Sequence, residues 1–272
     1  MKQTIAFIGI GHLAEYMIEG LRKKDQATPI WLLARSKTRA LKLWSGGPTT
    51  HLADDPQAAI DQADIVVVAT RPGDVVAAMD RLRFRASQTV ISVAAGISLA
   101  TLTKACHPAT AVRSLPLSCV SIQQSPTLLY PDDPVASDFF RRLGTVHVLE
   151  NEDQFPAATA LTGALYAWIF ALMAETNDWA KSSGLPAKVA RELVQDTFAG
   201  AAMMAQAQTD VNFDDIWDSL ATPGGISEQG HQVISDQQGF TAFSKALTAV
   251  RDRLQSTGPV ASPGKKHDPC HF

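Results

Sequence analysis

The chain has 272 residues, of which 46% are hydrophobic and 19% charged, and its formal net charge is −3. This length allows two domains, and the slight acidity argues against nucleic acids and anionic membranes as partners. We find no run of about 18 consecutive apolar residues that would span a bilayer. The three widely spaced cysteines suggest neither a disulfide framework nor a metal site, so we expect a cytoplasmic protein without bound metal.

The first half of the chain alternates short β-like runs with helical stretches. This order predicts an α/β fold, a parallel sheet with helices on both faces, over residues 1–150. The run 65–69 is apolar throughout and mostly β-branched, as expected for a strand that is covered on both sides. The predicted strands are 4–8, 30–34, 65–69, 89–93 and 111–115, and two less regular candidates are 127–130 and 145–149.

The second half, residues 151–255, contains helical periods and no convincing strand, which predicts an all-α domain. Its segment 157–173 is apolar on all sides and therefore needs cover all round. One small helical domain can hardly provide that cover, so we expect a second copy of the chain to provide it, as a homodimer or a larger assembly. The tail 256–272 is rich in Pro and Gly, and we expect it to be disordered.

The most informative motif follows the first predicted strand. Gly9-Ile10-Gly11-His12-Leu13-Ala14 has the order Gly-x-Gly-x-x-Ala, and a helical pattern begins at once. Gly9 permits the tight turn, Gly11 lets the backbone approach a pyrophosphate, and Ala14 allows close packing of helix on strand. The amides at the helix start attract phosphate. We therefore predict that this segment binds a dinucleotide cofactor, with His12 contributing through its backbone amide and Leu13 beside it.

The end of the second predicted strand indicates which cofactor is bound. An acidic residue there would bind a ribose 2′-hydroxyl, whereas Arg accommodates a 2′-phosphate. The strand runs into Ala34-Arg35-Ser36-Lys37-Thr38-Arg39, which has no acidic residue. Arg35 can form two hydrogen bonds to a phosphate, and Ser36 can donate another. This pattern favours NADPH over NADH.

Several segments then follow one another in a recognisable order. Ala94-Ala95-Gly96-Ile97-Ser98 and Pro223-Gly224-Gly225 are the most specific of them, and the series resembles the pyrroline-5-carboxylate reductase family over about residues 3–254. The other matching segments are Phe7 to Ala14, Ala69-Thr70-Arg71-Pro72, Val112-Arg113-Ser114-Leu115-Pro116, Ala160-Leu161-Thr162-Gly163, Gly184-Leu185-Pro186 and Thr222.

The resemblance implies an N-terminal Rossmann domain, a C-terminal helical domain that interlocks with its twin, and NAD(P)H-dependent reduction of a cyclic imine to proline. It also implies roles for individual residues. The loops under the cofactor correspond to Thr70, Arg71 and Pro72, and to Ala94, Ala95 and Gly96. The segments bordering the substrate correspond to Pro116 and Leu117, and to Gly224, Gly225, Ile226 and Ser227.

The chain departs from the family mainly in the segments that border the substrate. The usual Met-Pro-Asn is replaced by Leu115-Pro116-Leu117, so the Asn amide is lost. The usual Ser-Gly-Ser-Gly-Pro-Ala-Tyr is replaced by Thr162-Gly163-Ala164-Leu165-Tyr166-Ala167-Trp168. Two alternatives therefore stand beside proline synthesis: a reductase of another, bulkier or less polar imine, and a protein that binds NADPH without turning it over.

Hydride transfer to a C=N bond needs no strong general acid, because imines are basic enough to arrive protonated. The amides of Gly224, Gly225 and Ile226 could bind a substrate carboxylate, and Ser227 could donate to that carboxylate or to the ring nitrogen. Tyr166 is either a proton donor to the nascent amine or an interface aromatic residue. For His231 we favour a half-exposed helix position over a place in the site.

Overall fold

The computed structural model describes residues 3–34, 41 and 49–256, and the chain divides into two compact units. The second unit runs from Ala160 to Arg251, and the first comprises the chain up to Thr159 together with the chain from Asp252. The sequence placed the domain boundary near residue 150. The tail 257–272 lies outside the described residues, so its expected disorder stays a prediction.

The first unit contains one eight-stranded sheet of order β3-β2-β1-β4-β5-β6-β7-β8. All neighbouring strands are parallel except β6 and β7, which are antiparallel. The α/β prediction is therefore confirmed. The strands are β1 (Ile5–Ile8), β2 (Ile30–Leu33), β3 (Thr50–Leu52), β4 (Ile65–Val68), β5 (Thr89–Ser92), β6 (Thr110–Leu115), β7 (Ser125–Tyr130) and β8 (Gly144–Val148).

Two features of the sheet differ from the sequence prediction. Strand β3 was missed, because it has only three residues and its Thr50 and His51 break the apolar pattern. Strand β7 reverses direction because the connection from β6 holds only a short 3₁₀ turn, Ser118–Ile122, and a parallel crossover needs a dozen or more residues. The predicted parallel arrangement therefore holds for every other pair of neighbouring strands and fails only at this one.

Helices cover both faces of the sheet, as the sequence predicted. On one face, α1 (His12–Lys24) and α5 (Pro134–Arg141) bury residues such as Met17 and Phe139 against the strands. On the other face, α2 (Pro56–Gln62), α3 (Val75–Met79) and α4 (Leu99–Cys106) form a second cluster with residues such as Ile60. The strands between them are consequently buried on both sides, which explains their uninterrupted apolar sequences.

Gly20 allows α1 to approach the 3₁₀ turn that follows β6. A Cβ atom at this position would lie 2.1 Å from the carbonyl oxygen of Val120 and 2.9 Å from Leu143 Cδ2. In an open helix, Gly→Ala stabilises by up to about 1 kcal/mol. Here we expect Gly20→Ala to lower the free energy of unfolding by about 2 kcal/mol instead, because the backbone must shift. Urea unfolding would measure this loss.

Gly73→Ala is the control, because nothing lies within 4 Å of the added carbon, and its free energy of unfolding should change little. Equal stability of both variants would contradict the close approach at Gly20.

Cys106 is completely buried in α4, with Thr103 and Ala109 carbonyl oxygens near its Sγ. Burial raises the pKa of its thiol from 9.0 to about 11. Because the neutral thiol is favoured in the folded state, its contribution to stability is complete below pH 9 and is lost as the pH rises toward 11. We expect iodoacetamide at pH 8 to modify Cys106 only after denaturation, as judged by peptide mass spectrometry. Rapid labelling of Cys106 in the native protein would contradict its burial.

The second unit is built only of helices in its described residues. Among these residues, just four are buried: Ala160, Ala180, Ala190 and Val194. Large apolar side chains such as Phe170 and Trp179 are exposed in the protomer. The helical segments are α6 (Phe155–Thr159), which precedes the unit, a π-helical turn (Ala160–Ala164), α7 (Leu165–Ser182), α8 (Ala187–Ala207), α9 (Phe213–Leu220), α10 (Ile226–Asp236) and α11 (Gly239–Ser256).

One helical segment meets the criteria for a membrane span that no unbroken apolar run of the sequence meets. Glu152–Ser182 is long and apolar enough, by length and composition, to cross a membrane, and 6% of its most apolar stretch is buried. The sequence analysis looked for an unbroken apolar run and therefore missed this segment. Single polar residues such as Thr162 interrupt the run but lower its mean hydropathy only a little. A helix that packs against protein meets the same criteria of length and apolar composition.

Candidate functional site

The carboxyl ends of β1, β4 and β5 lie side by side at one edge of the sheet. Ala69 N–H donates to Ile8 O (2.9 Å), and Val93 N–H donates to Val68 O (3.1 Å). The chain order reverses at β1, which has β2 on one side and β4 on the other. Ligands of open α/β sheets bind in the crevice at such a switch point. Three of the four loops predicted to contact the cofactor begin at this edge, after β1, β4 and β5.

The glycine turn after β1 has the geometry that a dinucleotide requires. Gly9 has φ +88°, and a Cβ there would lie 2.7 Å from Thr70 Cγ2, so only glycine fits. Gly11 is the N-cap of α1, and a Cβ there would meet nothing within 4 Å. The space above Gly11 is thus open to a ligand. Ala14 is completely buried beneath the turn, in the close packing that its small side chain was predicted to allow.

The loop after β4 presents a polar atom without a protein partner. Thr70 Oγ1 is buried and has no hydrogen-bond partner among the described residues. A buried hydroxyl without a partner costs free energy, so a ligand that bonds to it would be favoured. Arg71 is exposed, and Pro72 starts a short 3₁₀ turn, Pro72–Asp74. Thr70 therefore fits a cofactor that lies over the glycine turn.

The loop after β5 is held at both ends. Ala94 N–H bonds to Ser92 Oγ (3.3 Å), while Ala95 and Gly96 are exposed, with Gly96 at φ +79°. Beyond the loop, Leu99 N–H donates to Glu152 Oε1 (2.6 Å). These hydrogen bonds fix the two ends of the loop, so that the exposed Ala95 and Gly96 have a defined position.

An ion pair behind this loop was missed by the sequence analysis. Arg113, whose side chain is 12% exposed, forms a salt bridge with Glu152, and its guanidinium lies 4.1 Å from the ring centroid of Phe155. The pair therefore joins β6, the start of α4 and the turn before α6. The signal was weak, because the motif around Arg113 was noted but its partner lies 39 residues further along the chain.

Two predicted cofactor residues cannot be placed. Arg35 and Ser36 lie outside the described residues, so the proposed 2′-phosphate contact stays a prediction.

In the second unit, the Pro-Gly-Gly segment joins α9 to α10. Gly224 has φ +72°, and its N–H donates to Glu228 Oε2 (2.7 Å), while Gly225 N–H donates to Thr222 O (2.8 Å). Two of the three amides suggested for a substrate carboxylate are thus already bonded within the protomer. Ile226 and Ser227 form the first turn of α10, and Ile226 is 89% exposed.

The remaining substrate residues lie in different surroundings. Pro116 and Leu117 are buried in the first unit, and Leu117 N–H donates to Ser125 Oγ (2.9 Å). Tyr166 lies in α7, half-buried, with its ring in an edge-to-face contact with Phe170 at 5.3 Å. Their roles toward a substrate stay predictions. Among the described residues, no group of His, Cys, Asp and Glu side chains could hold a metal ion.

The sheet, its switch point and the glycine turn define a Rossmann-type domain suited to a dinucleotide, in a chain that also contains a helical unit. Two family models match the chain: "NADP oxidoreductase coenzyme F420-dependent" over residues 4–96, and "Pyrroline-5-carboxylate reductase dimerisation" over residues 152–257. The first match contains all three loops at the sheet edge, and the second contains the helical unit.

Individual relatives agree with both matches. A pyrroline-5-carboxylate reductase from Pseudomonas aeruginosa is 29% identical, over 92% of this chain and 94% of the relative. The structure of a pyrroline-5-carboxylate reductase from Coxiella burnetii has a TM-score of 0.81 at 28% identity, over 94% and 98% of the two chains. The Plasmodium falciparum pyrroline carboxylate reductase with NADP bound has a TM-score of 0.80 at 18% identity, over 94% and 98%, and shows a shared fold. Over more than nine-tenths of its length, this chain is thus similar to pyrroline-5-carboxylate reductases.

Proposed function

We propose that this protein is an NADPH-dependent reductase of a cyclic imine, of the pyrroline-5-carboxylate reductase type, giving proline or a related cyclic amine. One observation carries the proposal above all others. A glycine turn at the switch point of a parallel sheet and a Pro-Gly-Gly segment at a helix start occur in one chain, in the order found in this family.

The first unit would hold the cofactor. Gly9, Gly11 and the amides at the start of α1 would bind the pyrophosphate, and the buried Thr70 hydroxyl would gain its missing partner. When bound, NADPH supplies the hydride that reduces the C=N bond. Support for NADPH over NADH comes from the family description that names NADP and from Arg35 and Ser36, which follow β2 without an acidic residue.

The second unit would hold the imine. Because Gly224 and Gly225 already donate within the protomer, we assign the substrate carboxylate to the first turn of α10, to the Ile226 amide and to Ser227. A helix start favours an anion there. The Ser227 hydroxyl can donate to the carboxylate or to the ring nitrogen. The residues thus orient the imine and balance its charge, which is what a hydride transfer requires of a protein.

A homodimer is part of the proposal. The helical unit leaves large apolar side chains exposed, and a second copy that packs on them would remove this surface from water. Such packing would also cover the apolar segment Glu152–Ser182 without a membrane. We accordingly place the protein in the cytoplasm, in keeping with the free thiols of Cys106 and Cys119.

The decisive experiment is NADPH oxidation with a panel of imines: pyrroline-5-carboxylate, pyrroline-2-carboxylate, piperideine carboxylates and simple cyclic imines without a carboxylate. We expect the highest kcat/KM with pyrroline-5-carboxylate, and a lower rate with NADH. If NADPH binds but no imine is reduced, the chain is a binding protein and not an enzyme.

A specific observation favours a second candidate, a reductase of a less polar imine. Leu117 replaces the family's Asn and is buried, and its backbone N–H is bonded to Ser125. The segment 162–168 carries Leu165, Tyr166 and Trp168 in place of small residues. Preference for a bulky imine without a carboxylate in the same panel would select this candidate over proline synthesis.

Tyr166→Phe tests whether the hydroxyl delivers a proton to the amine. If it does, we expect kcat to fall by about a hundredfold, in the range usual for the loss of a general acid, with little change in KM. If Tyr166 only packs against Phe170, the Phe variant keeps the edge-to-face contact and should keep kcat. Steady-state kinetics on the best imine of the panel decides between the two. Phe170→Leu serves as a control, because it alters the same ring contact and leaves the hydroxyl in place.

A further inference from the structure

Three aromatic rings stack across the helices that flank the Pro-Gly-Gly segment. The His231 ring of α10 lies 4.6 Å from the Trp217 ring of α9, with an interplanar angle of 30°. The Phe240 ring of α11 lies 5.0 Å from the same His231 ring, with an interplanar angle of 29°. The partly exposed imidazole thus contacts two larger rings, one from each neighbouring helix.

This stack connects the two ends of the segment 221–225. Trp217 is in the last turn of α9, where its carbonyl oxygen accepts the Ala221 N–H (2.9 Å). His231 is in the second turn of α10, which begins directly after Gly225. Contact between these two side chains therefore connects the helix before the loop with the helix after it.

Within the protomer, few other side-chain contacts could set the position of this loop. No residue of α9, α10 or α11 is buried in the protomer. Without a packed core around them, the relative position of these helices depends on the side chains that bridge them. Stacked aromatic pairs provide such a bridge with a defined geometry.

His231 is also coupled to the proposed substrate residue Ser227. The two residues are four apart in α10, and side chains at this spacing lie on the same face of a helix. A rigid α10 therefore transmits the position of the His231 ring to the Ser227 hydroxyl, one turn earlier. Gly224, whose N–H is bonded to Glu228 in the first turn, moves with it.

We propose that His231 is a positioning residue: in contact with Trp217 and Phe240, it holds the Pro-Gly-Gly loop and Ser227 where the imine binds. The proposal deepens the proposed function and rests on it for the identity of the substrate. The role belongs to the flat ring and not to its proton. A flat ring without ionisable nitrogen should consequently replace it.

The first test is kinetic and compares His231→Phe with His231→Ala. We expect the Ala variant to raise KM for the imine about tenfold, the effect of losing two ring contacts, while KM for NADPH and kcat stay within about twofold. The Phe variant should keep the wild-type KM. Phe243→Ala is the matched control, because it removes another ring contact of this unit, to Trp168 at 6.5 Å, that does not bracket the loop.

The second test does not depend on activity. Hydrogen exchange of the peptide covering residues 218–230 should be faster in His231→Ala and unchanged in His231→Phe and Phe243→Ala. A Phe variant that loses kcat would assign His231 a role in proton transfer and overturn the proposal, as would an Ala variant with unaltered exchange. A wild-type protein inactive on every imine would refute the proposed function alone, since the exchange result still decides whether the stack holds the loop.

Discussion

Gly11→Ala is expected to leave the protein folded and to weaken NADPH binding by about a hundredfold. A Cβ at Gly11 meets nothing within 4 Å in the protomer, and its φ of −102° suits any residue, so the fold tolerates the methyl group. The same methyl group would occupy the space in which a pyrophosphate approaches the start of α1. Losing one or two charge-assisted hydrogen bonds to phosphate costs about 3 kcal/mol, which corresponds to about a hundredfold in Kd.

Fluorescence titration with NADPH and thermal unfolding would together measure this effect. Gly9→Ala should differ, losing stability as well as binding, because its φ of +88° and the 2.7 Å approach to Thr70 Cγ2 make any side chain costly. Gly200→Ala adds the same methyl group in α8, where nothing lies within 4 Å, and should bind NADPH as the wild type does. Wild-type affinity in Gly11→Ala would show that the cofactor does not lie over this turn.

Phe170→Asp is expected to convert the proposed homodimer to monomers. Phe170 is 56% exposed in α7, so an Asp there is readily solvated in a single protomer. In a dimer that buries this helix, the carboxylate would be removed from water without a partner. Such a charge costs several kcal/mol, and about 4 kcal/mol would raise the dimer Kd roughly a thousandfold. Sedimentation over a range of protein concentrations would detect the shift.

Val76→Asp is the control for this prediction. Val76 lies in α3 of the first unit and is 46% exposed, so it receives the same charge at a similar exposure outside the helical unit. This variant should remain dimeric. If both variants stay dimeric, Phe170 is not covered by the partner, and if the wild type is monomeric, the exposed apolar surface has another role.

Most of the sheet could be predicted from the sequence, because a strand buried on both faces must be apolar throughout, and 4–8 and 65–69 are. The failures are local and have clear causes. Strand β3 is short and polar, and the reversal of β7 depends on the length of one connection. The segment 157–173 was recognised as needing cover. The longer helical segment Glu152–Ser182 that contains it was not recognised as long enough to span a membrane, because isolated polar residues interrupt it.

The candidate site was predictable where glycine is required and unpredictable where distant side chains meet. Gly9 is explicit in the sequence because no other residue permits its geometry, and Gly11 because a side chain there would fill the space that a pyrophosphate needs. The bonds of Gly224 to Glu228 and of Leu117 to Ser125 were not foreseen, and they change which amides are available to a substrate. Backbone hydrogen bonds of loops leave no pattern in the sequence.

By itself, then, the sequence decided the α/β order and the nucleotide turn, because periodicity and glycine act over a few neighbouring residues. It also predicted a partner for the helical half. Only the tertiary structure revealed the buried Thr70 hydroxyl, which has no partner among the described residues, the Arg113–Glu152 pair and the ring contacts of His231. Each of these depends on elements that are brought together by packing. The free energy of such contacts depends on the distances between side chains, and these distances cannot be read from the order of residues.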